Sequence, residues 1–262
     1  MRALKRWWRR WRAFRAARPQ LEVCRPHAER ILGGPVTWER TGGCGRDVVC
    51  LARCGNRPAG VLRVTLATAQ PAERRKREDL PFVPLAPEAK IEREWHAYAA
   101  GFERGLTPRP LWRNGHALLC AYVDGVPLKR EADQGLVTHL TLAIQALPGI
   151  ARLHQAGLTH MDMSLSNILR DGEGRDRFVD FEYGAAEGIT LEQQCLYDYL
   201  RLLESIWKYV AAEERKTVSA TWGKAFRACA PEAVRSADVA PLRPALGRIL
   251  AAPELKAFFN AL

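Results

Sequence analysis

The sequence has no run approaching the roughly 20 apolar residues that a membrane-crossing helix needs, so nothing in it reads as a span. Its seven cysteines (24, 44, 50, 54, 120, 195 and 229) are an odd number, include no CxxC pair, and have no histidines at zinc-finger spacing. Metal-finger and paired-disulfide scaffolds are thereby excluded. The thiols read as reduced, mostly buried small hydrophobes of a cytosolic protein. No acid occurs among residues 1–20, which carry eight Lys or Arg, and the formal charge of +11 leaves only +3 for the other 242 residues. The body lacks the spread basic surface of a nucleic-acid binder, and no nucleic acid is expected as a partner. No uninterrupted apolar segment with a small-residue cleavage site follows those opening charges, so a secretory signal is not expected there.

What the opening does hold is "MRALKRWWRRWRAFRAARPQ". As a helix it gathers Leu4, Trp7, Trp8, Trp11 and Phe14 within an arc of roughly 120°, with most arginines on the remaining face. That pattern suits an interfacial helix, because Trp rings sit at headgroup level and each basic residue near an anionic surface contributes about 1 kcal/mol. The alternative is that the aromatic stripe packs on the chain's own body.

Beyond it, at 262 residues, the chain is long enough for one large domain or two small lobes. "VTWERTGGCGRDVVCLARCGNRPAGVLRVTLA" reads as three consecutive antiparallel strands whose turns are "GGCG" and "GNRPAG". The charged, proline-bearing "TAQPAERRKREDLPFVPLAP" reads as an exposed connection. Helical spacing through Ile91, Trp95, Tyr98 and Phe102 ends at Gly105, and "RPLWRNGHALLCAYVDG" is a hairpin turning at "RNG". Leu140, Ile144, Leu147 and Ile150 mark a further helix, in which Pro148 either makes a kink or starts a second helix. Helices fill the remainder. The expected organisation is a basic helix at 1–20, a β-rich lobe at 21–123 and a helical lobe at 124–262, with a cleft as the default ligand site.

The chemistry concentrates in "HMDMSLSNILRDGEGRDRFVDFEYG", His160 to Gly184. Short apolar runs around "RDGEG" make a small hairpin, with Asp162 in the loop before it and Asp180 at its end. Phosphoryl transfer asks for one carboxylate to orient and deprotonate a hydroxyl, and for oxygen ligands to Mg²⁺ bridging nucleotide phosphates. The protein-kinase catalytic loop places these groups as H-R-D with Asn five residues later, followed by a D-F-G acid. Here His160, Asp162, Asn167 and Asp180 occupy those positions in order. Upstream, Gly42, Gly43 and Gly45 lie where backbone amides cover phosphates. Arg63 stands on the third strand where the template has lysine, and Glu94 is the helix acid that would pair with it. The exchange of Arg for Lys is not conservative, since guanidinium is planar and permanently charged. Glu182 replaces the last glycine of D-F-G. No activation segment follows, because a helix begins within about ten residues.

On these residues the chain resembles compact bacterial members of the protein-kinase-like superfamily, and most of all the lipopolysaccharide kinases that phosphorylate core heptose or Kdo sugars. The resemblance covers about residues 36–205 and rests on "LPFVPLAPEAKIEREWHAYAAGFERGLTPRP", "LHQAGLTHMDMSLSNIL" and "VDFE". It implies an α+β, two-lobed protein-kinase-like fold, a five-stranded antiparallel lobe plus a helical lobe. It implies ATP and Mg²⁺ as cofactors, Asp162 as base, Asn167 and Asp180 on the metal, and backbone around Ala121 to Val123 reading adenine. A lipid-linked glycan acceptor and a place on the cytoplasmic face of the inner membrane, reached through residues 1–20, complete the expectation. "VLRV" and "DFEY" are also similar to choline and aminoglycoside kinases, though only 82 residues follow Asp180, which leaves little room for their enlarged helical region. Arg63 and Glu182 keep open a third reading, a pseudokinase-like binding module. Asp198 in "LYDYLRLL" resembles the helix acid that anchors the catalytic loop in such kinases.

Overall fold

The computed structural model describes residues 2–42, 47–66 and 79–262. In chain order the elements begin α1 (Arg2–Leu32), β1 (Val36–Gly42), β2 (Asp47–Cys54), β3 (Arg57–Thr65), β4 (Phe82–Pro84), α2 (Pro87–Phe102), β5 (Pro110–Asn114) and β6 (Ala117–Ala121). They continue with β7 (Gly125–Pro127), α3 (Leu128–Asp133), α4 (His139–Gln155), β8 (Ile168–Asp171), β9 (Asp176–Phe178), β10 (Tyr183–Ala185), α5 (Leu191–Ile206) and α6 (Ala212–Cys229), before short helical turns. The chain divides into two units: Met1–Lys76, Leu85–Phe102 and Pro108–Val123 form one, and Arg77–Pro84, Glu103–Thr107 and Asp124–Leu262 the other.

The first unit is built on a five-stranded antiparallel sheet in the order β1-β2-β3-β6-β5. Alternation along β3 buries Gly60, Leu62 and Val64, the period-2 pattern of a strand with one face on a core. Gly60 has a specific reason to be glycine. A Cβ there would meet the Cys120 carbonyl oxygen at 3.0 Å and Leu119 at 3.1 Å.

Helix α1 does not stop at residue 20. It runs to Leu32, through Pro19 and Pro26, because Ala17, Leu21, Cys24 and Ala28 recur at helical spacing and are buried against Val48, Cys50, Leu62 and Val64 of the sheet, with Phe14 partly buried beside them. Arg25 donates to the Val36 carbonyl, and the Val36 amide donates to Glu29 Oε1 at 3.1 Å. For residues 14–28 the packing on the chain's own body is therefore real. The side chains of Leu4, Trp7, Trp8 and Trp11 lie outside the described residues.

In the second unit α4, α5 and α6 pack around Leu142, Leu147, Leu153, Tyr197, Leu200, Trp222 and Phe226, all fully or nearly fully buried. Pro148 sits inside an unbroken α4, so the helix does not restart there. Strands β7, β8 and β9 form a three-stranded antiparallel sheet, and Gly125 is required where a Cβ would meet the Arg170 carbonyl oxygen at 2.9 Å. The stretch expected to be only an exposed connection contains β4, which pairs with β10. The Phe82 ring meets Tyr183 edge-on at 5.0 Å, and that apolar contact gives a reason for the pairing. Among the described residues no helix is long and apolar enough to cross a membrane.

Candidate active site

In the second unit the loop from His160 to Asn167 is held from below by one carboxylate. Asp198 of α5, fully buried, accepts the His160 amide on Oδ2 at 2.7 Å and the Met161 amide on Oδ1 at 2.8 Å. His154 Nε2 of α4 lies 3.1 Å from the same Oδ2. These bonds hold Met161 at φ 65°, a left-handed conformation rare for a residue with a side chain.

His160 is fully buried, its Nε2 is 2.9 Å from the Val179 carbonyl and its Nδ1 is 3.3 Å from the Asp162 amide. A carbonyl only accepts and an amide only donates, so Nε2 carries the hydrogen and Nδ1 receives one. Both nitrogens are occupied with fixing the loop, and the ring lies 4.7 Å from that of buried Phe181. His160 is a packing residue rather than a proton carrier.

Asn167 Nδ2 donates to the Asp162 carbonyl at 3.0 Å, and the Val179 amide donates to the Asn167 carbonyl at 3.0 Å. The Asn167 side-chain oxygen has no partner among the described residues. Asp180 follows β9 at φ 73°, a region that Asp tolerates better than most residues. Glu182, the residue in place of a glycine, donates its amide to the Asp180 carbonyl at 3.0 Å, closing a tight turn that leads directly into β10. Burial, the strongest influence, pushes the Asp162 carboxyl above the ordinary range, against the pull of Arg201 and His160 and with the help of Asp180. Hydrogen bonding and charge thus tie three of the expected residues, Asp162, Asn167 and Asp180, into one constellation.

Sequence reasoning missed Arg201, whose Nη2 donates to Asp162 Oδ1 at 2.8 Å. Its signal was present: it lies three residues after Asp198 on α5, hence on nearly the same helix face.

In the first unit Arg63 Nε lies 2.9 Å from Glu94 Oε2, and Arg63 Nη1 lies 3.2 Å from Asp47 Oδ2. Lys90 ion-pairs with the same Asp47 oxygen, and Tyr98 donates to Glu94 Oε1 at 2.7 Å. The expected Arg63–Glu94 pair is formed. Asp47 and Lys90 were not foreseen, although Lys90 precedes Glu94 by one helical turn of α2.

The backbone expected to read adenine is partly committed. The Ala121 amide donates to the Arg109 carbonyl at 2.8 Å and the Tyr122 amide to the Ala59 carbonyl at 3.2 Å, so Ala121 has only its carbonyl to offer and cannot be the donor. The Val123 amide has no partner among the described residues. Gly42 closes β1 opposite Val49, while Gly43 and Gly45 lie outside the described residues. A cavity of about 550 Å³ near the C-terminus, lined in part by Asp238, Arg243, Lys256 and Phe259, includes none of these residues.

A five-stranded antiparallel sheet with helix α2 between β3 and β5, its acid paired to a cation on β3, and a helical unit bearing an Asp-x₄-Asn loop before a short hairpin define the architecture. The fold is protein-kinase-like. No protein-family model matches the chain. Over 90 residues it is 32% identical to the serine/threonine-protein kinase BCK1/SLK1/SSP31 of Saccharomyces cerevisiae, covering 32% of this chain and 6% of that protein. The chain therefore spans a small fraction of the length of the curated relative it matches. Among solved structures it is similar to the Rio2 kinase–ADP/Mg²⁺–phosphoaspartate complex from Chaetomium thermophilum, at 18% identity and a TM-score of 0.48, over 90% of this chain and 72% of that one.

Proposed function

We propose that this chain is an ATP-dependent phosphotransferase acting on a sugar hydroxyl of a lipid-linked glycan at an anionic membrane surface. The observation that carries the phosphotransfer part is the constellation in the second unit: Asp162 and Asn167 joined at 3.0 Å by the Asn167 amide, with the charge of Asp180 felt at Asp162. Asp162, made more basic by burial, accepts the acceptor hydroxyl's proton. Asn167 Oδ1, whose amide partner atom is already occupied, and the Asp180 carboxylate are hard oxygen donors of the kind Mg²⁺ takes beside phosphate oxygens, so the residues present fit that ion. Bound there, Mg²⁺ would neutralise charge on the nucleotide phosphates. Arg63 and the glycine turn are the candidate phosphate contacts of the first unit, with Glu94 orienting Arg63 and the Val123 amide a candidate contact for adenine.

The membrane part rests on the charge of residues 1–20, eight Lys or Arg and no acid, with three Trp. The cytoplasmic face of the inner membrane follows from that surface together with the lipopolysaccharide-kinase resemblance. The test is transfer of labelled phosphate from ATP to lipopolysaccharide core presented in phosphatidylglycerol vesicles by the purified full chain. Transfer that vanishes in Asp162→Asn is expected, and equal transfer by that variant would overturn the assignment of the base.

A second reading, the same chemistry on a soluble sugar or aminoalcohol, is favoured by the packing of α1 residues 14–28 on the sheet. Because Ala17 is fully buried, a chain beginning at residue 13 separates the readings better than one beginning at residue 21. Unchanged turnover on vesicle-borne acceptor after that truncation would favour the soluble acceptor.

A further inference from the structure

The four residues between Asp162 and Asn167 are Met163, Ser164, Leu165 and Ser166, none of them cationic. Met163 and Leu165 are buried, and His160 has both ring nitrogens engaged. The loop therefore has no positive charge of its own to set against a phosphoryl group whose charge spreads over three equatorial oxygens in the transition state. One cation does reach it from outside. The Arg201 guanidinium touches Asp162 Oδ1 at 2.8 Å with a side chain only 25% exposed, and the rest of its N–H fork has no partner among the described residues. A guanidinium offers five donors in a planar fork that matches carboxylate and phosphate oxygens alike.

We propose that Arg201 is a catalytic residue for phosphoryl transfer, clamping Asp162 Oδ1 so that Oδ2 faces the acceptor hydroxyl while the remaining N–H groups face the transferring phosphoryl oxygens. The inference rests on the phosphotransferase reading given above. In the step, the acceptor O–H proton passes to Asp162 Oδ2 as the acceptor oxygen bonds to the γ-phosphorus. The bond from that phosphorus to the bridging oxygen breaks, and its electron pair leaves with ADP. Arg201 keeps its proton throughout, so its role is orientation and electrostatics, the terms that dominate this chemistry.

The experiment uses the full chain, MgATP and lipopolysaccharide core, with phosphate release to water as a second readout, for wild type, Asp162→Asn, Arg201→Ala, Arg201→Gln and Arg201→Lys. Arg201→Ala is expected to lower kcat roughly 100-fold with little change in the KM for ATP. Millimolar guanidinium should restore part of its rate but none of that of Asp162→Asn. Arg201→Lys should retain more activity than Arg201→Gln. Should the alanine variant melt early, Arg201→Gln, which can still donate to Asp162, carries the comparison. Wild-type kcat in both Arg201→Ala and Arg201→Gln beside an inactive Asp162→Asn would overturn the role of Arg201 and leave the phosphotransferase reading intact. Undiminished turnover in Asp162→Asn, or no turnover by the wild type on either readout, would overturn that reading and this inference with it.

Discussion

Asp198 Oδ1 accepts the amide hydrogen of Met161 at 2.8 Å, and Met161 is a buried, non-glycine residue at φ 65°. A single carboxylate on α5 therefore maintains a backbone conformation that sterics disfavour by roughly 1–2 kcal/mol, immediately before the candidate base. Asp198→Asn replaces one acceptor oxygen with a donor that faces an amide hydrogen. The expected cost is about 3 kcal/mol, read from urea unfolding of the full chain, with turnover reduced because Asp162 loses its fixed place.

The cluster in the first unit should behave as one object. Arg63→Met leaves the Glu94 and Asp47 carboxylates buried with less countercharge, an arrangement expected to cost about 3 kcal/mol. Adding Glu94→Gln should cost less on that background than on the wild type, with a coupling of about 1–2 kcal/mol in a double-mutant cycle of thermal or urea unfolding. Strict additivity would mean that the pair at 2.9 Å makes no net contribution.

Acid should loosen the β8–β9 hairpin in a defined window. At Asp171 burial opposes ionisation, but the Arg175 amide, the Arg175 and Arg177 side chains and the Glu173 amide outweigh it and bring the carboxyl down to about 2. A depressed carboxylate stabilises the fold above the ordinary value of about 4 and loses that contribution as pH falls toward 2. Asp176, pushed up by burial, works with the opposite sign. Unfolding midpoints measured between these limits should fall with pH in the wild type and fall less in Asp171→Asn.

The thiols should resist alkylation. Burial pushes Cys24 up to about 11 and Cys50, Cys120 and Cys195 up to about 12, so little thiolate exists near neutral pH and the sulfurs are covered. Mass spectrometry after iodoacetamide treatment of the folded chain should find these four largely unmodified, and all seven cysteines of the sequence modified in urea.

Helix α1 should divide into a dispensable and an indispensable part for stability. Leu21→Ala removes a side chain 2% exposed from the core shared with the sheet and should cost about 2–4 kcal/mol. A chain beginning at residue 13 should melt close to the full chain, whereas one beginning at residue 33 uncovers the sheet and should melt far lower or aggregate.

The sequence alone determined the five strands of the first sheet, the helices α2 and α4, the β8–β9 hairpin and their order, because period-2 and period-3.6 apolar patterns and turn residues are local signals. It also determined the Asp162, Asn167 and Asp180 spacing, which one loop and one hairpin suffice to bring together. The continuation of α1 to Leu32 was less legible, since Pro19 and Pro26 read as interruptions and only burial of Leu21, Cys24 and Ala28 on the sheet outweighs the loss of their amides. Beyond reach of local pattern were the contacts between distant segments: β4 against β10, Asp47 on Lys90, Arg201 on Asp162. Such pairings depend on which faces meet when helices and strands pack, and no spacing along the chain encodes that. The sequence could place Asp162 and its asparagine at the spacing of a candidate base; only the tertiary structure decided that the cation beside Asp162 comes from a helix 39 residues further on.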